Sequence, residues 1–247
     1  MSEITPPAEA KAHKKKEEQN ELVISYLALR QCVGILGFFL PIIVIATSFI
    51  LPHCRGLQNS LSDYHNTISR DLFVGILCSI ALFLSVYKGY IRQDRIIALI
   101  AGILGFCVGI LPTGIDESDC AIYANLSCGG DSCYNFPGWI GTLHLIVSGI
   151  FLLLLGYFSY FIFTRSDKPK SEQGKLKRRR NWWYRACGII IAACVLILVL
   201  YFAFTDEATR LELDAKFKPV LIMEIIAVWA FAFSWLIKGE TLGIMQD

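Results

Sequence analysis

The amino-acid sequence predicts an all-α polytopic membrane protein, a six-transmembrane-helix bundle with its N-terminus and C-terminus cytoplasmic. Three observations predict it. Of 247 residues, 55% are hydrophobic and 18% charged, with a mean hydropathy of +0.52, where a soluble domain carries about 45–50% and about 25%. The apolar residues come in runs of about 17 or more, enough to cross a hydrocarbon slab of roughly 30 Å. Eighteen of the 23 Lys and Arg fall in every second connection, which sets orientation by the positive-inside rule and requires an even number of spans. These proportions exclude disordered, collagen-like, coiled-coil and small disulfide-scaffold classes. The net charge of +2 says little by itself.

Residues 1–20 are polar and rich in Lys, Glu and Ala, and are expected to be disordered on the cytoplasmic side. They lack the apolar core and small-residue cleavage site of a secretory signal, so the first helix reads as an uncleaved anchor. Residues 21–30 are expected to begin an interfacial helix. The six-helix domain covers 21–238, with spans at 32–51, 71–87, 96–112, 138–164, 186–205 and 219–237. Pro41 is expected to kink the first span. Pro112 closes the third, and the fourth is long enough to tilt. Residues 239–247 form a cytoplasmic tail. Ala98, Gly102, Gly105 and Gly109 make a small-residue stripe on the third span, and Gly75 with Ser79 another on the second; both read as helix-packing surfaces.

The basic residues Lys177, Arg178, Arg179 and Arg180, followed by Trp182 and Trp183, read first as a topology signal beside an aromatic belt. Contact with anionic lipid is the alternative reading, and nucleic acid is not expected. Cys54, Cys120, Cys128 and Cys133 fall in predicted external connections, where one or two disulfides can form by any of three pairings. The other five cysteines lie in or beside spans and behave as small apolar residues. Asn125-Leu126-Ser127 is a glycosylation tripeptide.

Ionisable residues inside spans are costly and mark candidate sites. His144 and Glu224 each lie five residues inside a span, roughly 7–8 Å below the external interface. Above them the first external connection carries Asp63, Tyr64, His65, Asn66 and Thr67, and Arg70–Asp71 open the second span. These residues are expected to line a pocket open to the external face: Asp63, His65, Arg70, Asp71, His144 and Glu224. The same types suit proton exchange, metal ligation or grasping a polar headgroup. The plainer reading has Glu224 paired with His144 or a Thr hydroxyl as helix-packing glue, and Asp71 complementing a helix dipole. No cofactor is expected, with zinc as the alternative. No Walker, Rossmann, G-x-S-x-G or H-E-x-x-H motif is present.

The segments Ser62-Asp63-Tyr64, Arg70-Asp71-Leu72-Phe73-Val74-Gly75, Tyr87-Lys88-Gly89-Tyr90, Tyr184-Arg185-Ala186-Cys187-Gly188 and Ser234–Glu240 together resemble a family of uncharacterised bacterial six-span integral membrane proteins. More distantly, Ser62–Asp63, His144 and Glu224 are similar to the "I-S-D", His and Glu positions of DRAM/Sfk-like six-transmembrane proteins, which implies lipid organisation, lipid remodelling or autophagy; Arg70-Asp71 stand where that family has Pro-Glu. Tyr64-His65-Asn66-Thr67-Ile68-Ser69 is similar to a stretch of the seven-span CREST hydrolases, whose paired His motif and seventh span are missing here. The expected function is non-enzymatic recognition of a lipid headgroup or small polar ligand from the external side of a bacterial inner membrane or plasma membrane. The alternatives are a CREST-like metal-dependent lipid amidase or hydrolase and a proton-coupled transporter.

Overall fold

A computed structural model describes residues 8–50, 57–113, 139–166 and 174–241, with side chains from Tyr26 onward. The chain is all-α, without strands among the described residues. Its helices are α1 Ala8–Ile50, α2 Arg70–Ser85, α3 Arg92–Ile110, α4 Trp139–Tyr157, α5 Lys175–Phe204, α6 Glu207–Lys216 and α7 Pro219–Lys238. A 3₁₀ turn, Ser62–Asn66, precedes α2, and a π turn, Phe158–Ile162, extends α4. Five helices are long and apolar enough to cross a membrane: α1 from Tyr26, α3, α4 with its π turn, α5 and α7.

Helix α2 is shorter than expected. Its 16 residues span about 24 Å, because the backbone leaves the helix at Val86 and turns through Gly89 into α3. At the other extreme, α1 begins at Ala8, so much of the segment expected to be disordered is helix. Its Ala, Glu and Lys residues are strong helix formers that need no packing partner. The helix continues through Pro41.

Neighbouring helices pack in the order α1–α2–α3–α4–α5–α7 and back to α1, closing a ring. Inside it sit Val33, Leu40 and Val44 of α1, Phe73, Leu77, Ile80 and Leu84 of α2, and Phe231 and Trp235 of α7. These recur at three- and four-residue spacing, which puts each set on one helix face. The opposite faces are equally apolar and exposed, as with Ile35, Phe38, Phe39 and Ile42 on α1, or Leu196, Ile197, Val199 and Leu200 on α5. Apolar residues both inside and outside, with polar side chains such as Ser159 and Ser234 buried and bonded to each other at 2.8 Å, are the pattern of a membrane protein.

The α3 stripe does what its small residues allow. A Cβ added at Gly102 would stand 2.0 Å from Ser85 Oγ and 2.7 Å from the Ala81 carbonyl, so only glycine lets α2 and α3 approach this closely. The second stripe does not pack in this way, since Gly75 faces open space. The amphipathic α6 lies in a connection for which no helix is expected, and Asp206 accepts from Thr209 at its N-terminus.

The ring has two chemically distinct ends. At the loop end residues 57–69, the end of α3 and the starts of α4 and α7 meet. At the basic end the stretch of α1 around Arg30 and Gln31, the α2–α3 turn, the π turn, the start of α5 and the end of α7 meet.

Candidate functional site

The connection expected to lie above His144 and Glu224 is built into the loop end. Ser60, Ser62, Tyr64, His65, Thr67 and Ser69 are all buried. Buried backbone of this kind must find its hydrogen bonds locally, and here every neighbouring element supplies some. Ser69 Oγ donates to the Val44 carbonyl of α1 at 3.1 Å and lies 2.6 Å from Thr47 Oγ1. Thr67 Oγ1 donates to the Tyr64 carbonyl and accepts the Ser69 N–H, closing the turn on itself. Asn66 Nδ2 donates to Thr113 Oγ1 beyond α3 at 2.7 Å. Ser48 and Tyr64 meet side by side.

Helix α7 and the 3₁₀ turn cap each other. The Asn59 carbonyl accepts the Leu221 N–H at 3.0 Å, one of the four unpaired donors at the start of α7. In return the Glu224 carboxylate accepts the Leu61 N–H at 2.6 Å and a further bond from Ser62. At the start of the 3₁₀ turn Ser60 Oγ accepts the Asp63 N–H at 3.0 Å, and α7 provides the acceptor for the N–H groups before it. Glu224 is thus an anchor for the loop, and its partners are backbone N–H groups.

His144 has different partners. Its Nδ1 lies 2.8 Å from the Leu111 carbonyl, and the ring is buried with 4% exposure. A carbonyl only accepts, so Nδ1 carries the proton and the neutral ring leaves a lone pair on Nε2. His65, also at 4% exposure, interacts electrostatically with His144. Its Nδ1 faces Asn66 Oδ1 at 3.4 Å, and the ring has a further hydrogen-bond partner in the Ile110 backbone. Burial pushes the His65 pKa below its ordinary value, which favours the neutral ring. Both Nε2 atoms are buried without a hydrogen-bond partner among the described residues. An orphaned buried polar atom is uncommon enough to need an explanation. The tautomer set by Leu111 makes the His144 Nε2 an acceptor, and the His65 Nε2 is a second such buried atom at the same end.

The six residues expected to line a pocket therefore separate. His65 and His144 are both buried at the loop end. Glu224 binds the loop backbone, with Asp63, half-buried, acting on its charge. Arg70 and Asp71 open α2 on its exposed face. The placement of His65 and His144 at one end is hidden in the sequence, because the two are 79 positions apart and share that end only through the folding of 57–69 into the ring. The carbonyl and N–H partners at Asn59, Leu61 and Leu111 carry no side-chain signal at all. Among the described residues no group of three His, Cys, Asp or Glu is placed to hold a metal ion. Cys54, Cys120, Cys128 and Cys133 lie outside the described residues, as does the glycosylation tripeptide. Cys32, Cys78, Cys107, Cys187 and Cys194 are free thiols. Comparison of the chain with family models, curated proteins and solved structures finds no match.

Proposed function

We propose that this chain is a six-helix integral membrane protein, with both termini in the cytoplasm, that recognises a polar ligand from the external side without transforming it. The ligand class is a lipid headgroup or small molecule carrying hydrogen-bond donors. The observation that carries this reading is the imidazole pair. The buried Nε2 atoms of His65 and His144 have no partner among the described residues and are free to bond a polar ligand, and the surrounding loop is braced by hydrogen bonds to the Val44 carbonyl, Thr113 and Glu224. Rigid bracing keeps the entropy cost of binding low. The 18-to-5 division of basic residues supports the orientation, which puts the loop end outside.

Two hydrogen bonds of ordinary strength discriminate a donor-bearing headgroup from one lacking donors by about tenfold. The test uses the purified protein in nanodiscs with equal amounts of phosphatidylethanolamine, whose ammonium donates, and phosphatidylcholine, which has no donor. Native mass spectrometry is expected to show preferential retention of the ethanolamine lipid, and loss of that preference in His65→Phe and His144→Phe. Equal retention by the parent protein overturns lipid recognition. Stoichiometric zinc, with lipid hydrolysis lost in His144→Ala, replaces the reading with the metal-dependent hydrolase. Reporter fusions placing the two termini on opposite faces overturn the orientation.

A further inference from the structure

The basic end collects like charges in a way that simple topology signalling does not require. Lys177 of α5 donates its ammonium to the Phe163 carbonyl at 3.4 Å, and Lys238 at the end of α7 reaches the same carbonyl at 3.5 Å. One carbonyl oxygen therefore holds two ammonium groups within a few ångströms of each other. Arg30 of α1 and Arg180 of α5 add further repulsion on Lys238, against attraction from Glu240. Of the nearby carboxylates, Asp94 is already committed: it accepts the Tyr90 and Ile91 N–H groups and lies 2.8 Å from Arg165.

Rings wall this cluster. The Lys238 ammonium lies 5.6 Å from the Tyr90 ring centroid, 5.8 Å from Phe163 and 6.0 Å from Tyr184. Aromatic faces temper the charge of a cation but do not neutralise it. A second, independent observation points the same way. Two buried donors at this end, Arg30 Nε and Trp235 Nε1, have no acceptor among the described residues. Trp235 is one turn from Lys238, and its ring centroid is 5.1 Å from that of Phe163. Converging cations together with orphaned donors call for an anion that accepts hydrogen bonds.

We propose that the basic end is a binding site for the phosphate of an anionic membrane lipid, held by Lys177, Lys238 and Arg30 above the Phe163, Tyr184 and Trp235 rings. A lipid is favoured over a soluble phosphate by position. The site closes the apolar span Pro219–Lys238, and exposed Tyr90, Ile91 and Val86 lie at the same end to meet acyl chains. This site is separate from the imidazole pair at the opposite end and does not depend on it. It also moves the recognition away from the exposed Arg178 and Arg179 of the basic run to residues contributed by three helices.

The test places the purified full-length protein in phosphatidylcholine nanodiscs containing a minority of phosphatidic acid, with retained lipid counted by native mass spectrometry. Phosphatidic acid is expected to be enriched around the parent protein, and each removed ammonium (Lys177→Gln, Lys238→Met) to lower its affinity about fivefold. Arg178→Gln with Arg179→Gln is expected to leave the enrichment unchanged, and Lys238→Arg to retain it. If the outer arginines matter as much as Lys177 and Lys238, a delocalised basic surface replaces the site. Thermal stabilisation in detergent by millimolar inorganic phosphate, equal to that by short-chain phosphatidic acid, overturns the lipid assignment. If Lys238→Met does not fold, the Lys177→Gln and Lys238→Arg pair decides alone: enrichment unchanged by Lys177→Gln overturns the proposal.

Discussion

At the loop end the buried atoms left without a hydrogen-bond partner are the Nε2 atoms of His65 and His144; at the basic end they include the N–H donors of Arg30 and Trp235. The same helix ring thus ends in buried imidazoles on one side and in N–H donors amid crowded cations on the other. The bracing differs in kind as well. The loop end is held by neutral hydrogen bonds from Ser, Thr and Asn side chains and by one carboxylate on backbone N–H groups. The basic end is held by an ion pair, ring packing and lysines on a shared carbonyl. Hydrogen bonds of fixed geometry position a small ligand accurately, whereas charge on flexible stems suits a headgroup whose phosphate arrives in variable poses.

This contrast can be broken at either end. The largest effect is expected from Asp94→Ala, which strands Arg165 and frees the Tyr90 and Ile91 N–H groups: about 3–5 kcal/mol lost, read as a shifted unfolding midpoint in detergent. Ethanolamine-lipid preference at the far end should survive in the fraction that folds. Glu224→Ala removes the acceptor for the 3₁₀ turn and is expected to cost about 2–3 kcal/mol, with proteolysis appearing first within 57–69. Gly102→Val forces α2 away from α3 and is expected to cost about 1–3 kcal/mol without favouring either end, which makes it the control for general loosening.

Acid sharpens the comparison further. The folded chain holds the His65 pKa below that of the unfolded chain, so His65 binds fewer protons folded than unfolded. Its contribution is complete above about pH 6.5 and is lost as pH falls, by at most about 1.4 kcal/mol per pH unit until the lowered value is reached. Hydrogen exchange is expected to rise on acidification in 57–69 before it rises around 87–94, and His65→Phe should flatten that response. The smallest effect belongs to Asp206, whose pKa is held down by bonds from Thr209. Its cap on α6 is present above the usual carboxylate range and lost as pH falls through the lowered value, so Asp206→Ala should increase exchange in α6 alone.

Much of the architecture was legible because hydropathy is a local property. The runs around α1, α3, α4, α5 and α7 stand out without any knowledge of neighbours, and the Ala98-Gly102-Gly105-Gly109 stripe announces a close helix contact. Where neighbours matter, legibility stops. The matched depths of His144 and Glu224 suggest a meeting, but depth is one coordinate of three: α7 turns Glu224 to Leu61, while α4 turns His144 to Leu111. In the same way the run at 177–180 has the appearance of one basic patch, yet the ring draws Lys177 inward to Lys238 and leaves Arg178 and Arg179 outside.

The sequence by itself determined that this chain is helical, that its long apolar helices suit a membrane, and that its basic residues gather in alternate connections. Those follow from transfer free energy summed along short windows. Only the tertiary structure decided which lone pairs and which donors were left unpartnered. That outcome depends on the azimuth of each helix and on the descent of one loop into the ring, and neither quantity is encoded in any local window.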